Sequence, residues 1–224
     1  MKKPKIFVAC DTTNTKKIYK IIKETKNLKL KFGYKFGLEF LNSKNGRKFV
    51  AGLKNKITFG DYKLADIPNT CVSAIKAIKD LKLNYITIHI SSGAKALKAA
   101  KKACGKIKLI GVTILTSLDN KSLKEIGFDK NVKKLVHHQA KLAAKLNLDA
   151  VVCSPHEIKI VKNVFKKEII TPGIRLTGDS KGDQKRIMTP KQAFKNGATA
   201  LVMGRSLIKG NIKKNIQKLI KELR

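Results

Sequence analysis

Short apolar runs alternate with longer amphipathic, lysine-rich stretches along the whole chain. The runs are IFVAC (6–10), FGYKF (32–36), ITFGD (57–61), YITIHI (85–90), KLIGVTIL (108–115), AVVCS (150–154), IITPG (169–173) and ALVMG (200–204). Continuous apolar runs of this length predict strands covered on both faces, as in a parallel sheet. The segments Asn14–Lys26, Pro68–Lys79, Ala94–Ala103, Val132–Leu146 and Pro155–Phe165 place apolar residues three and four apart, which predicts helices with one buried stripe. A last helix over Asn211–Leu223 has the same spacing. Strand and helix alternate throughout, with no Pro-, Ser- or Gly-rich linker. The expectation is one (β/α)8 TIM barrel domain over residues 1–224, an α/β fold with eight parallel strands.

The polar or Gly-marked ends of the runs are Asp11, Lys35, Asp61, His89, Thr116, Ser154, Pro172 and Gly204. Barrels of this kind carry their active sites at those ends. Acidic residues are scarce, 15 against 50 basic ones, so Asp11, Asp61 and Asp66 stand out there beside Lys35 and Lys63. Asp61 and Lys63 are two apart, which puts them on one face of an extended strand end. Asp66 follows on the loop, and Pro68 marks the first turn of the next helix. Lys35, Asp61, Lys63 and Asp66 are therefore expected to form an alternating array in which each charge keeps its neighbour ionised. The segments TPGIRLTGDSKGDQ (171–184) and VMGRS (202–206) follow the seventh and eighth runs, where barrels bind phosphate on loop amides and a short helix. Arg205 offers a planar fork for phosphate oxygens and Gly204 room for close approach. A phosphate ester is the expected substrate class.

Composition adjusts this picture in three ways. In 224 residues, 42% hydrophobic content suffices for a core. The net charge of +35 would normally point to nucleic acid, but arginine occurs only at positions 47, 175, 186, 205 and 224, tryptophan is absent and aromatics are 6%. Bidentate phosphate contacts and base stacking need those residue types. The lysines read as solvated helix faces that draw in small anions, and no specific nucleic-acid partner is expected. Cys10, Cys71, Cys104 and Cys153 lack metal-ligand spacing and sit in apolar contexts, as reduced cysteines of a cytoplasmic protein do. The opening MKKPKIFVACD is charged like a signal peptide, yet its apolar run ends at Asp11. No run approaches the roughly 20 residues of a membrane span, so no membrane partner is expected.

With these residues in view, DYKLADIPNT (61–70) resembles the DxKxxDxPNT signature of orotidine 5'-phosphate decarboxylases. FVACD, YKFGLEF, VTILTS, TPGIR, GDQKRIMTP and MGRSL resemble that family's remaining motifs in order, over nearly the whole chain. The fourth run, IHISSGAKAL, departs from it after His89, and the loop between Arg175 and Gln184 carries an additional Lys181. The resemblance implies conversion of orotidine 5'-phosphate to UMP and carbon dioxide, without metal or organic cofactor. It implies catalysis by Lys63, Asp61, Asp66 and Lys35, with Lys63 giving a proton to C6 of the pyrimidine. Asp11 and Lys35 would meet the ribose, Thr116 the base, Gln184 base and phosphate, and Pro172, Arg175, Gly204 and Arg205 the phosphate side. Asp66, Ile67 and Thr70 would reach the neighbouring subunit's site in a homodimer with composite active sites. The alternative within the same superfamily is a magnesium-dependent sugar-phosphate decarboxylase or aldolase, which shares the DxKxxD core and lacks the IPNT continuation and Gln184. The alternative from another class, a basic nucleic-acid-binding barrel, predicts retention on DNA with a steep salt slope. His137, His138 and His156 read as surface or structural side chains, and Cys153 has no adjacent base to make it a nucleophile.

Overall fold

The computed structural model describes residues 5–26, 28, 30–179 and 187–223. Its eight strands are β1 (Lys5–Ala9), β2 (Lys31–Phe36), β3 (Thr58–Leu64), β4 (Tyr85–His89), β5 (Lys108–Val112), β6 (Ala150–Val152), β7 (Glu168–Thr171) and β8 (Ala200–Met203). All neighbours pair in parallel and β8 returns to β1, closing the barrel in sequence order. Each apolar run thus becomes one strand, covered outside by helices and inside by the other strands.

The helices form where the spacing predicts them: Thr15–Glu24, Pro68–Ala77, Gly93–Cys104, Val132–Lys145, Ile158–Val164 and Ile212–Glu222. Local chemistry sets several of their starts. The side chains of Asn14, Asn131 and Asn211 each accept an amide of the first turn, satisfying a donor the helix cannot. Pro68 begins its helix, where the missing N–H costs nothing. Short helices at Leu38–Leu41, Gly46–Ala51, Asn120–Glu125, Pro190–Asn196 and Arg205–Ile208 were not among the expected ones, being too short to display a period. One strand end also moves. The run KLIGVTIL leaves the sheet after Val112, and Thr113 gives both its amide and its hydroxyl to the Val152 carbonyl as the last link to β6. Thr116 therefore lies in a turn beyond the strand.

Two apolar cores result. The larger lies between strands and helices. The smaller fills the barrel and contains Phe7, Phe59, Tyr85 and Ile110 with Ala150, Ile170 and Ala200. Phe7 meets Phe59 and Tyr85 edge-on, with ring centroids 5.2 Å away in each case. Gly33 makes room for this plug, since a Cβ there would come within 2.7 Å of the Phe7 ring. Inward side chains alternate along each strand, so the positions two residues beyond the plug are Ala9, Lys35, Asp61 and Thr87, at the C-terminal mouth. All four cysteines are buried and none is in a disulfide. Among the described residues no helix is long and apolar enough to cross a membrane.

Candidate active site

A cavity of about 320 Å³ opens at that mouth. Asp11, Lys35, Asp61 and Lys63 line one part of it; Thr116, Pro172, Arg175, Gly204 and Arg205 line the rest, with apolar wall from Ala9, Val112, Val152 and Val202. Residues from β1, β2, β3, β5, β6, β7 and β8 and their following loops therefore meet in one space, as a closed parallel barrel requires of its strand ends.

The charged groups form a continuous alternating chain. Lys35 Nζ lies 3.1 Å from Asp11 Oδ1 and 3.4 Å from Asp61 Oδ2, and Lys63 Nζ lies 2.8 Å from the same Asp61 oxygen. Lys35 and Asp61 are buried, while the Lys63 side chain keeps 35% of its exposure and faces the cavity. Burial alone would push the Asp61 carboxyl up, but Lys35, Lys63 and the hydrogen bonds it accepts bring it below its ordinary value. Burial likewise pulls the Lys35 ammonium down, and Asp61 and Asp11 overcome this to leave it raised. Both groups are thereby held charged. Burial, then the Lys63 charge, lowers the nearby His89 imidazole, which favours its neutral form.

Three features of the expected array are corrected. Asp66 does not join it within one chain: its side chain is exposed and turns back to accept the Ile67 amide at 2.7 Å. Asp11 takes the place of the second carboxylate. Nor do Asp61 and Lys63 meet through plain strand alternation. β3 loses register between Gly60 and Leu64, which face Ile86 and Ile88 of β4, and Lys63 adopts φ of 48°. The bulge, rather than a period of two, aims the ammonium group at Asp61.

Ile67 and Thr70 are also exposed and line no part of this cavity; with Asp66 they occupy the loop and first turn after β3. Gln184 lies outside the described residues, as does Lys181. Arg175 is buried and its Nη1 donates to the Ile174 carbonyl at 3.0 Å, which holds the guanidinium near the cavity. At Gly204 a Cβ would meet only Ala9 Cβ at 3.5 Å, so the protein itself leaves space for a side chain there. Arg205 follows at the start of the short helix Arg205–Ile208. Cys153 lines the wall and is buried. Among the described residues no group of three or more His, Cys, Asp or Glu is arranged to hold a metal ion.

One polar residue that contacts this array escaped the reading of the sequence. Thr87 of β4 is fully buried and donates to Asp61 Oδ1 at 3.1 Å while accepting the Lys63 amide at 2.8 Å. Its only signal is a hydroxyl inside the run YITIHI, which is as easily read as strand propensity.

Comparison with known proteins narrows the chemistry. Residues 4–218 match the model of the Orotidine 5'-phosphate decarboxylase / HUMPS family. The orotidine 5'-phosphate decarboxylase of Prochlorococcus marinus (strain MIT 9215) is 39% identical over 219 residues, covering 92% of this chain and 89% of the relative. That of Wolbachia sp. subsp. Brugia malayi (strain TRS) is 44% identical over 192 residues, covering 83% and 84%. Among solved structures, the orotidine 5'-phosphate decarboxylase of Lactobacillus acidophilus aligns with a TM-score of 0.83 at 30% identity, covering 99% of both chains. Motifs, strand order and mouth geometry converge with these matches, and the chain belongs to the Orotidine 5'-phosphate decarboxylase / HUMPS family.

Proposed function

We propose that this chain is a carboxy-lyase that decarboxylates orotidine 5'-phosphate to UMP and carbon dioxide, the last step of de novo UMP biosynthesis. The observation that carries the reading is a single cavity that combines a paired, half-buried Lys63 ammonium facing it with Arg175 and Arg205. The arginines suit the phosphate, and Gly204 keeps its space open for it. Lys35 and Asp11 take the ribose hydroxyls, Thr116 the base, and Gln184 bridges base and phosphate. Pro172 shapes the wall between them.

In the reaction the bond from C6 to the carboxylate breaks and its electron pair stays on C6. Carbon dioxide leaves, and a proton passes from Lys63 Nζ to C6; solvent then restores the ammonium group. The difficulty is the negative charge that develops at C6. A cation already fixed opposite that position, held by Asp61 at 2.8 Å, stabilises the transition state without reorganising at the moment of reaction. Asp61 keeps Lys63 in place and faces the departing carboxylate. Phosphate binding at the far side contributes energy that orients the ring.

Asp66 completes the catalytic group from a second subunit. Its exposure outside the cavity, and Ile67 left 66% exposed beside it, support a homodimer whose sites are composite, with Ile67 and Thr70 crossing the interface. The whole chain is read as one such domain, working in the cytoplasm. The test is the fall in ultraviolet absorbance of orotidine 5'-phosphate on adding purified protein in EDTA. Loss of the substrate band is expected. A folded dimer that leaves it unchanged, yet turns over a keto-sugar phosphate once magnesium is supplied, overturns the proposal.

A further inference from the structure

Thr87 has no part in the steps above, yet its single hydroxyl touches both members of the central ion pair. It stands on the inward face of β4, one layer nearer the mouth than Tyr85, with no exposed surface. The two oxygens of Asp61 are divided between different partners. Oδ2 takes both ammonium groups, Lys63 at 2.8 Å and Lys35 at 3.4 Å, and Oδ1 takes Thr87 at 3.1 Å. A carboxylate turns about its last torsion with only a broad preference, so a neutral donor on the second oxygen sets its plane.

The same hydroxyl handles the backbone. Where β3 leaves register, the Lys63 amide has no ladder partner, and a buried amide without one is costly. Thr87 accepts it at 2.8 Å. That bond also restrains Lys63 in the left-handed region, at φ of 48°, which non-glycine residues adopt only when their surroundings impose it. One donor and two acceptor sites on a hydroxyl allow both bonds at once.

We infer that Thr87 is a positioning residue for the decarboxylation, holding the Asp61 carboxylate plane and the Lys63 backbone so that the ammonium group stays at the reacting carbon. The inference rests on the reaction proposed above. Its logic is that small misplacements of a catalytic group slow chemistry more than they weaken binding, and the phosphate contacts lie elsewhere, after β7 and β8.

The test compares Thr87→Ser, Thr87→Ala and Thr87→Val by kcat and KM for orotidine 5'-phosphate and by affinity for UMP. Ala and Val are expected to lose roughly ten- to a hundredfold in kcat, the span for a hydrogen bond to a charged group. KM and UMP affinity should stay within about threefold, and Ser should keep kcat within about threefold of the native chain. Ser and Ala differ chiefly by the hydroxyl, so that pair decides the matter even if Val fails to fold. Equal kcat for Ser and Ala overturns the inference, as does a matching loss of kcat and UMP affinity. A native chain with no turnover removes the reaction itself, a result distinct from an active native chain indifferent to the hydroxyl.

Discussion

At the N-terminal end of the barrel Glu168 sits between Lys5 and Lys108; at the C-terminal end Asp61 sits between Lys35 and Lys63. The local chemistry is nearly the same. Glu168, like Asp61, is pushed up by burial and brought below its ordinary value by its lysine partners. What differs is what lies above each pair. Lys5 and Lys108 lie 5.0 Å and 5.3 Å from the centre of the Tyr85 ring, whose hydroxyl also engages Glu168, so the aromatic plug closes this cluster off from the barrel interior and leaves Lys108 facing solvent. Lys63 instead faces a cavity that also holds two arginines. A carboxylate between two lysines is therefore no sign of catalysis by itself. An ion pair acts on a substrate only where one member faces a cavity that the substrate can fill, and exposure to open solvent is not enough.

The comparison is broken most severely by Lys63→Ala. It should lower decarboxylation by at least roughly three orders of magnitude, since proton donation and charge stabilisation are lost together. UMP should still bind, which isothermal titration checks. Near-normal turnover would sink the assignment of Lys63.

The next largest effect tests whether the open end is completed by a second chain. Asp66→Asn and Lys63→Ala proteins, each inactive alone, should regain about a quarter of native activity after subunit exchange, because half the dimers then carry one intact site of two. No recovery after exchange has been verified by native mass spectrometry would remove the composite site.

At the plugged end, Glu168→Gln should cost about 1–3 kcal/mol of stability in urea unfolding, less than a fully buried pair because water reaches part of the group. Its kcat should stay within about twofold of native. A large loss of kcat in the folded variant would mean that the two ends are coupled through the plug.

The smallest effect sharpens the contrast by pH. The folded Glu168 carboxyl lies below its ordinary value of 4.5, so its contribution is present above that pH and is lost as pH falls through the folded value. The stability gap between native and Glu168→Gln proteins should accordingly narrow in acid. Lys35 shifts upward from 10.5, so its contribution is present below that value and fades only in stronger alkali. Unfolding midpoints across both ranges check the two signs.

Much of this was legible in the chain because local patterns report local requirements. Strands buried on both faces need unbroken apolar runs, helices on the outside need one apolar stripe, and both signals survive in the sequence. The mouth residues Lys35, Asp61, Lys63, Arg175 and Arg205 announced themselves by being polar where a run ends. Thr87 did not, because a threonine inside a strand is ordinary until its partners are known. The cluster beneath the plug was also silent: Lys5, Lys108 and Glu168 look like solvated strand beginnings among so many lysines.

The sequence by itself determined the number and order of the βα units and which strand ends carry charge, since those depend on period and residue type. Only the tertiary structure decided the partners. Closing the barrel brings Asp11 rather than Asp66 to Lys35 within one chain, and the shift of β3 against β4 turns Lys63 toward Asp61. It also decided which of two similar ion-pair clusters backs onto the aromatic plug and which faces a cavity, because that depends on whether rings from distant strands or empty space lie above the charges.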